Sequence, residues 1–236
     1  MTTPQLRCVI LAAGMGTRLG LPEPKPLAAL NSTTTILDRQ LSLIRLQFGA
    51  DVDITLVVGH LAEQFDFLGD TVRRVTNPRF ATTNTSKSLL VALEQIGPGP
   101  VLWMNGDVVF EPNVLANAAD AICDGQSFMV VNQGETGDEE VKYRLTDGCI
   151  SEVGKGVTNA VGEAVGINHV SSVERDVLAQ HLRDAEDSDY FEAAIQTAIA
   201  AGDVTFAPVA ITTSDAIEVD TMEDFTIAQR RFGVAR

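Results

Sequence analysis

Apolar and polar positions along this chain fall into two regimes. Short, nearly unbroken apolar runs at Arg7–Ala12, Ile54–Val58, Val101–Met104 and Ser127–Val131 read as strands covered on both faces, as in a parallel sheet. Between them, apolar residues recur at helical spacing. Ile36–Phe48 carries them at 36, 37, 41, 43, 44, 46 and 48 and ends before Gly49. Ser86–Ile96 carries Leu89, Leu90, Leu93 and Ile96, and Gly97-Pro98-Gly99-Pro100 stops it. Leu61–Leu68 and Asn113–Ile122 read as helices and Val72–Val75 as a short strand. This alternation predicts an α/β fold: a doubly wound, mostly parallel, Rossmann-like sheet whose ligand sits at the carboxyl ends of the strands.

The pattern changes at about 132–170, a segment rich in Gly, Glu and Asp with short alternating runs at Lys142–Leu145, Ile150–Val153 and Ala164–Ile167. It reads as a small antiparallel insertion over the active site, a place for selecting an acceptor. Helices at Val173–Leu182, Tyr190–Ala201 and Met222–Phe232 and strands at Val204–Pro208 and Ile217–Val219 complete the chain. With no linker, repeat or low-complexity segment, residues 1–236 read as one domain.

Composition narrows the partners. The 236 residues are 45% apolar, enough for a substantial core. A net charge of −15 weighs against nucleic acid or an anionic membrane as partner. No apolar run reaches the length of a bilayer span, and the polar lead Met1–Arg7 runs directly into the first strand, with no signal peptide expected. Cys8, Cys123 and Cys149 are odd in number and far apart, which suggests reduced, mostly buried thiols in a cytoplasmic protein. His60, His169 and His181 form no cluster with a Ser or Cys nucleophile and read as surface or capping residues.

Against that acidic background one basic spot gains weight. Val9–Ala13 runs into Gly14-Met15-Gly16-Thr17-Arg18-Leu19, followed by Pro24-Lys25-Pro26-Leu27. A strand ending in a glycine turn lets backbone N–H groups approach phosphate oxygens, and Arg18 and Lys25 neutralise the remaining charge. The P-loop is excluded because no Gly-Lys-Ser/Thr follows Gly14 at its spacing. The dinucleotide fingerprint is excluded because Leu19 stands where its third glycine belongs, and Asp38 falls at the start of a helix. Two further carboxylates close strands: Asp107 after Val101–Met104 and Asp220 after Ile217–Val219. Two carboxylates at the same edge of one sheet suit a hard ion such as Mg²⁺ completed by waters and phosphate oxygens. Taken alone, Asp107 also reads as a turn residue and Asp220 as a helix N-cap.

Together these segments resemble the nucleotidyltransferases that activate sugar phosphates and small phospho-alcohols, whose signature is Leu-Ala-Ala-Gly-x-Gly-x-Arg-Leu…Pro-Lys-x-Leu. The resemblance is strongest over 8–30, 100–110 and 214–226. It implies a Mg²⁺-dependent attack of a substrate phosphate on the α-phosphorus of a nucleoside triphosphate. It also implies that Arg18 and Lys25 act on the leaving pyrophosphate. Leu11, Ala12, Ala13, Gly14, Met15, Gly16, Thr17 and Gly106 would line the nucleotide, and Asp107 and Asp220 would hold the metal. Thr83-Asn84-Thr85-Ser86-Lys87-Ser88-Leu89 resembles a stretch of the cytidylyltransferase branch, implying Asn84 and Ser88 beside the base and CTP as donor.

For the acceptor, segments around Glu139-Glu140, Lys155 and Gly162-Glu163 resemble a subgroup that activates phosphocholine, aminoethylphosphonate and inositol phosphate. Lys155 would hold the acceptor's phosphate or phosphonate, with Glu163 nearby, and Tyr190-Phe191-Glu192 is similar to a triplet lining an amine pocket. Aromatic faces and a carboxylate suit an ammonium. With 6% aromatic residues and Trp103 inside a strand, a full choline cage is not expected. A homodimer partner remains open. So do two rival functions: a sugar-1-phosphate transferase using UTP, dTTP or GTP, and a non-catalytic nucleotide-binding module. A glycosyltransferase is disfavoured because residue 105 is Asn where an Asp-x-Asp motif needs a second acid.

Overall fold

Strand β1 (Arg7–Ala12) organises the molecule because its side chains alternate between two cores. Cys8, Ile10 and Ala12 pack with α1 (Ile36–Phe48) and α3 (Pro112–Cys123) on one face. Val9, Leu11 and Ala13 pack with α2 (Thr85–Gln95), α4 (Arg175–Asp184) and α5 (Phe191–Ala201) on the other. From Cys8 onward the run is apolar because neither face meets water. The computed structural model describes residues 5–134, 136–137 and 139–233; the first four residues of the expected polar lead lie outside them.

β1 lies between β2 (Asp53–Val58) and β4 (Val101–Asn105), parallel to both, and β3 (Arg73–Thr76) adds parallel to β2. On the other side of β4 come β9 (Gly162–Val170), β6 (Phe128–Gln133) and β10 (Ala207–Ile211). Only β9 runs against the rest along this path, pairing antiparallel with both β4 and β6. The sheet is therefore mostly parallel with helices on both faces, as expected. The expected strand at 164–167 belongs to β9, inside the main sheet rather than in a separate flap. Only the hairpin of β7 (Lys142–Thr146) and β8 (Cys149–Gly154) stands off the main path, attached through β7 to β9.

Other departures have local causes. Residues Ala62–Leu68 form a 3-10 helix, entered through Leu61 in a left-handed conformation (φ 52°). The last parallel strand starts at Ala207; ahead of it Val204 and Phe206 are buried, and the Phe206 carbonyl accepts from Ile150 N–H at 2.9 Å. His169 is a core residue of β9, not a surface one; it is fully buried and stacked on Phe128 with Nδ1 on the Gln126 carbonyl at 2.8 Å. Burial lowers its pKa to about 4. All three cysteines are free, but only Cys8 is buried and Cys123 is exposed. Among the described residues, no helix is long and apolar enough to cross a membrane.

One short strand was not legible beforehand, and its partner, expected at Ile217–Val219, is observed one residue earlier. β5 (Val108–Phe110) turns back directly after β4 and pairs antiparallel with β11 (Ala216–Glu218), outside the main sheet. Val219 N–H then donates to the Asp107 carbonyl at 3.0 Å. This ribbon brings together two aspartates 113 positions apart. They converge through it, not at one edge of a common sheet. The helix α6 (Met222–Phe232) follows, its Phe225, Ala228 and Phe232 packed on Leu19, Leu30 and Ile36.

Candidate active site

The glycine turn begins where β1 ends. The next strand over, β4, ends in Asn105, and Gly106 N–H donates to the Leu11 carbonyl at 2.9 Å, so the two strand ends are tied at the mouth. A Cβ on Gly106 would stand 2.8 Å from that carbonyl and from Pro26 Cγ, so no larger residue fits. Gln40, buried on α1, donates from Nε2 to the carbonyls of Asn105 (2.9 Å) and Val108 (2.8 Å) and fixes the turn that carries Asp107.

Lys25 comes from a one-turn 3-10 helix, Lys25–Leu27, with Pro26 buried beneath it. Its Nζ donates to Asp107 Oδ2 at 3.0 Å and to Asp220 Oδ1 at 2.5 Å. Arg18 Nη1 stands 3.4 Å from the other oxygen of Asp220. Burial works against the Lys25 ammonium, but the charges and hydrogen bonds of the two aspartates outweigh it and raise its pKa. Burial likewise lifts Asp107, more than Lys25 recovers. At Asp220 burial is overcome by Lys25 and then Arg18, and the pKa falls below the usual carboxylate range.

Asp107 does stand in the turn between β4 and β5, and its carboxylate reaches Lys25 from there; the N-cap alternative for Asp220 does not hold. The N-cap of α6 is Thr221, in a capping box with Asp224, which leaves the Asp220 side chain for the cleft. Asp38, the dinucleotide-style candidate, is occupied in a capping box with Thr35 at the start of α1.

These groups line a cleft of ≈520 Å³. It brings together Leu11, Ala12, Gly14, Met15, Gly16, Thr17, Arg18, Lys25, Asn84, Gly106, Asp107, Lys155, Tyr190, Glu192 and Asp220. Three expected residues stand elsewhere. Ala13 does not line the cleft; its carbonyl accepts from His60 N–H at 3.2 Å. Ser88 is buried within α2, accepting from Asn77 Nδ2 at 3.1 Å, so it cannot reach a base in the cleft. Glu163 points to Asn132, whose Nδ2 donates to it at 2.6 Å across the β6–β9 pair. Asn84 faces the cleft as the N-cap of α2, with Oδ1 on Thr85 N–H at 2.8 Å and Nδ2 on the Ser188 carbonyl at 3.2 Å. Phe80, Thr83 and Thr85 join it there.

The far end is acidic. Lys155, from just after β8, pairs with Glu139 at 3.2 Å and lies 5.4 Å from the centre of the Tyr190 ring. Tyr190 is the N-cap of α5 and stays 41% exposed. Its neighbour Phe191 turns inward against Trp103, edge to face at 5.7 Å, and both are core. Glu192 is buried in the first turn of α5, its Oε2 without a hydrogen-bond partner, and burial pushes its pKa up to about 7.

Gln40 and Glu218 were given no role beforehand, while Glu140, named with the acceptor segment, does line the cleft. Gln40 was detectable as the one polar residue among Leu37, Leu41 and Ile44 on the apolar face of α1. Glu218 accepts from Asn105 Nδ2 at 3.2 Å, linking the two aspartate-bearing segments. Burial, then the charges of Asp107 and Asp220, raises its pKa well above the carboxylate range.

The donor set fits Mg²⁺. Both carboxylates touch the same ammonium, so they already face one cation position, and hard carboxylate oxygens completed by phosphate are the ligands this ion takes. Among the described residues, no group of three His, Cys, Asp or Glu side chains forms a self-sufficient metal cage.

A strand-end glycine turn whose two cations pair directly with two aspartates at one end of a cleft makes a nucleotidyltransferase-type site. The chain belongs to the family of the MobA-like NTP transferase domain, whose pattern matches residues 8–192. It is similar to a CMP-5'-(3-aminopropyl)phosphonate synthase of Streptomyces rubellomurinus, at 38% identity over 49% of this chain and 19% of that protein. It is also similar to a choline-phosphate cytidylyltransferase of Streptococcus pneumoniae, at 35% identity over 41% of this chain and 43% of that protein. The matched segments span less than half of either relative. Among solved structures, an inositol-1-phosphate CTP transferase of T. maritima superposes with a TM-score of 0.76 at 15% identity, covering 100% of both chains. A Bacillus anthracis protein assigned as a glucose-1-phosphate thymidylyltransferase reaches 0.77 at 14%, covering 98% of this chain and 97% of that one. At such identities the likeness establishes the fold.

Proposed function

We propose that the cleft transfers a cytidylyl group from CTP to a small acceptor bearing a phosphate or phosphonate, releasing pyrophosphate. One observation carries this reading: Lys25, Asp107 and Asp220 meet at the glycine turn, and Lys155 stands in the same cleft. An acceptor oxygen would form a bond to the α-phosphorus as the bond to the β-phosphate oxygen breaks, and pyrophosphate would leave with that electron pair. The nucleophile is already ionised near neutral pH, so no general base is required. This agrees with a cleft that contains no histidine among its described lining.

The chain's part is positioning and charge neutralisation. Backbone N–H groups of Gly14–Thr17 would face the triphosphate, with Arg18 and Lys25 stabilising charge on the departing pyrophosphate. Lys155 would anchor the acceptor's anionic end, and Asn84 would border the base. Asp107 and Asp220 would hold Mg²⁺, which when bound supplies further neutralisation of the phosphates. CTP is favoured over UTP or dTTP because both curated relatives carry cytidylyl or CMP in their names. Such chemistry belongs in the cytoplasm, where nucleoside triphosphates are made.

The test is pyrophosphate release with each of CTP, UTP, dTTP and GTP against pooled phospho-acceptors and hexose 1-phosphates. Release with CTP and a small phospho- or phosphono-acceptor is expected. Release only with UTP or dTTP and a hexose phosphate would replace this reading with the sugar-type one. No release with any pair would favour a binding module.

A further inference from the structure

Both cations of the glycine turn are turned inward. Lys25 joins Asp107 to Asp220 at 3.0 and 2.5 Å, and Arg18 lies 3.4 Å from Asp220. The groups that should meet a triphosphate are thus paired with the groups that should meet a metal. The Lys25 side chain is only 14% exposed and Asp107 18%, so their pairing is partly shielded from water and salt, while Asp220 and Arg18 are more open to the cleft. The Lys25 stem also touches the loop: a Cβ on Gly16, whose φ is +58°, would stand 3.0 Å from Lys25 Cγ. Gly16 and Lys25 line the same cleft, so a phosphate on the loop would lie within the reach of the Lys25 side chain.

We propose that Lys25 is an internal substitute for the divalent ion, and that nucleotide and metal enter by exchange of ion-pair partners. This rests on the metal reading given above. In the empty cleft the ammonium neutralises Asp107 and Asp220, which otherwise repel. On loading, the triphosphate takes Lys25 and Arg18, and the metal takes the carboxylates. In both states each of these four side chains has an opposite charge beside it, so neither leaves an unpaired ion in the buried part of the cleft. A free divalent ion must displace an ammonium with no new partner for it, and binds weakly alone.

The test is Mn²⁺ binding to the whole chain, followed by electron paramagnetic resonance with and without α,β-methylene CTP, in wild type and in Lys25→Met. Methionine keeps the stem and removes the charge. Wild type is expected to bind Mn²⁺ at least tenfold more weakly than Lys25→Met when nucleotide is absent. A thermal melt supplies a second readout independent of turnover. Lys25→Met alone should melt lower than wild type and recover on adding Mg²⁺, whereas Mg²⁺ alone should leave wild type unmoved. If Lys25→Met binds Mn²⁺ no more tightly than wild type, while wild type with nucleotide binds it, the substitution idea is wrong and the metal site stands. If neither protein binds Mn²⁺ under any condition, both fail. Should the methionine variant not fold, Lys25→Gln is measured in the same way.

Discussion

The two ends of the cleft are built differently. At the phosphate end, Gly14–Lys25 is one continuous stretch following a buried strand, and its partners Asp107 and Asp220 are held by a ribbon whose register is set by backbone hydrogen bonds. Every charged group there already has an opposite charge beside it. At the acceptor end, Glu139, Lys155 and the start of α5 with Tyr190 and Glu192 come from three separate parts of the chain. There one buried carboxylate oxygen has no partner, and an exposed ion pair stands in solvent. At the first end the charged pairs are closed without a ligand and the unpartnered buried atoms are the neutral amide oxygens of Gln40 and Asn105, while at the second it is a carboxylate oxygen that has a hydrogen bond to be made. A fixed reaction needs the former; a choice among acceptors can be made by the latter.

Removing a carboxylate from the paired end should do most damage. Asp107→Ala is expected to lower kcat by about 10³-fold, as when a preorganised electrostatic group is lost from a phosphoryl-transfer site. Steady-state pyrophosphate release measures it, and a loss under tenfold would remove Asp107 from the metal assignment.

At the acceptor end the largest effect is on stability. The Glu192 carboxyl has a folded pKa raised to about 7, so between its ordinary value and 7 the folded state holds a proton that the unfolded chain has released. Its contribution is present at low pH and is lost as pH rises towards and past 7. Glu192→Gln, neutral at all pH, should therefore match wild type at pH 4 and be more stable at pH 8 by up to about 3 kcal/mol. Denaturant unfolding at the two pH values checks this. Equal stability of the two proteins at pH 8 would mean that an internal cation satisfies Glu192.

Arg18 is half exposed, so its loss should cost less: Arg18→Gln should raise the nucleotide KM about tenfold and leave the acceptor KM unchanged. A change confined to the acceptor would break the division of the cleft. Smallest of all is Ser88→Ala. With Ser88 bonded to Asn77 inside α2, the substitution should cost about 1 kcal/mol of stability and leave the NTP preference as it was. A changed preference would return Ser88 to the base site.

The same contrast explains what could be read from the residues alone. β1, α1 and α6 were placed with their observed bounds because apolar period and capping signals are local; Thr35 with Asp38 marks the start of α1 outright. Arg18 and Lys25 were identifiable from the glycine turn and the Pro-Lys-Pro after it, and Asp107 and Asp220 from their places just after the short runs Val101–Met104 and Ile217–Val219. What was hidden depends on pairing over distance. No local pattern says that β9 inserts antiparallel between β4 and β6, or that β5 pairs with β11. Those pairings turn Glu163 towards Asn132 and bring Glu218 to Asn105. Ser88 misled because its helix start resembles a nucleotide-binding stretch, while its actual direction is set by Asn77.

The most direct measurement follows the α-phosphorus. With [α-³²P]CTP, Mg²⁺ and 2-aminoethylphosphonate or phosphorylethanolamine, wild type should move the label into a cytidylyl-linked acceptor in step with unlabelled pyrophosphate, and Asp107→Ala should not. Label remaining in CTP under all acceptors, or recovered only as CMP, would contradict nucleotidyl transfer at this cleft.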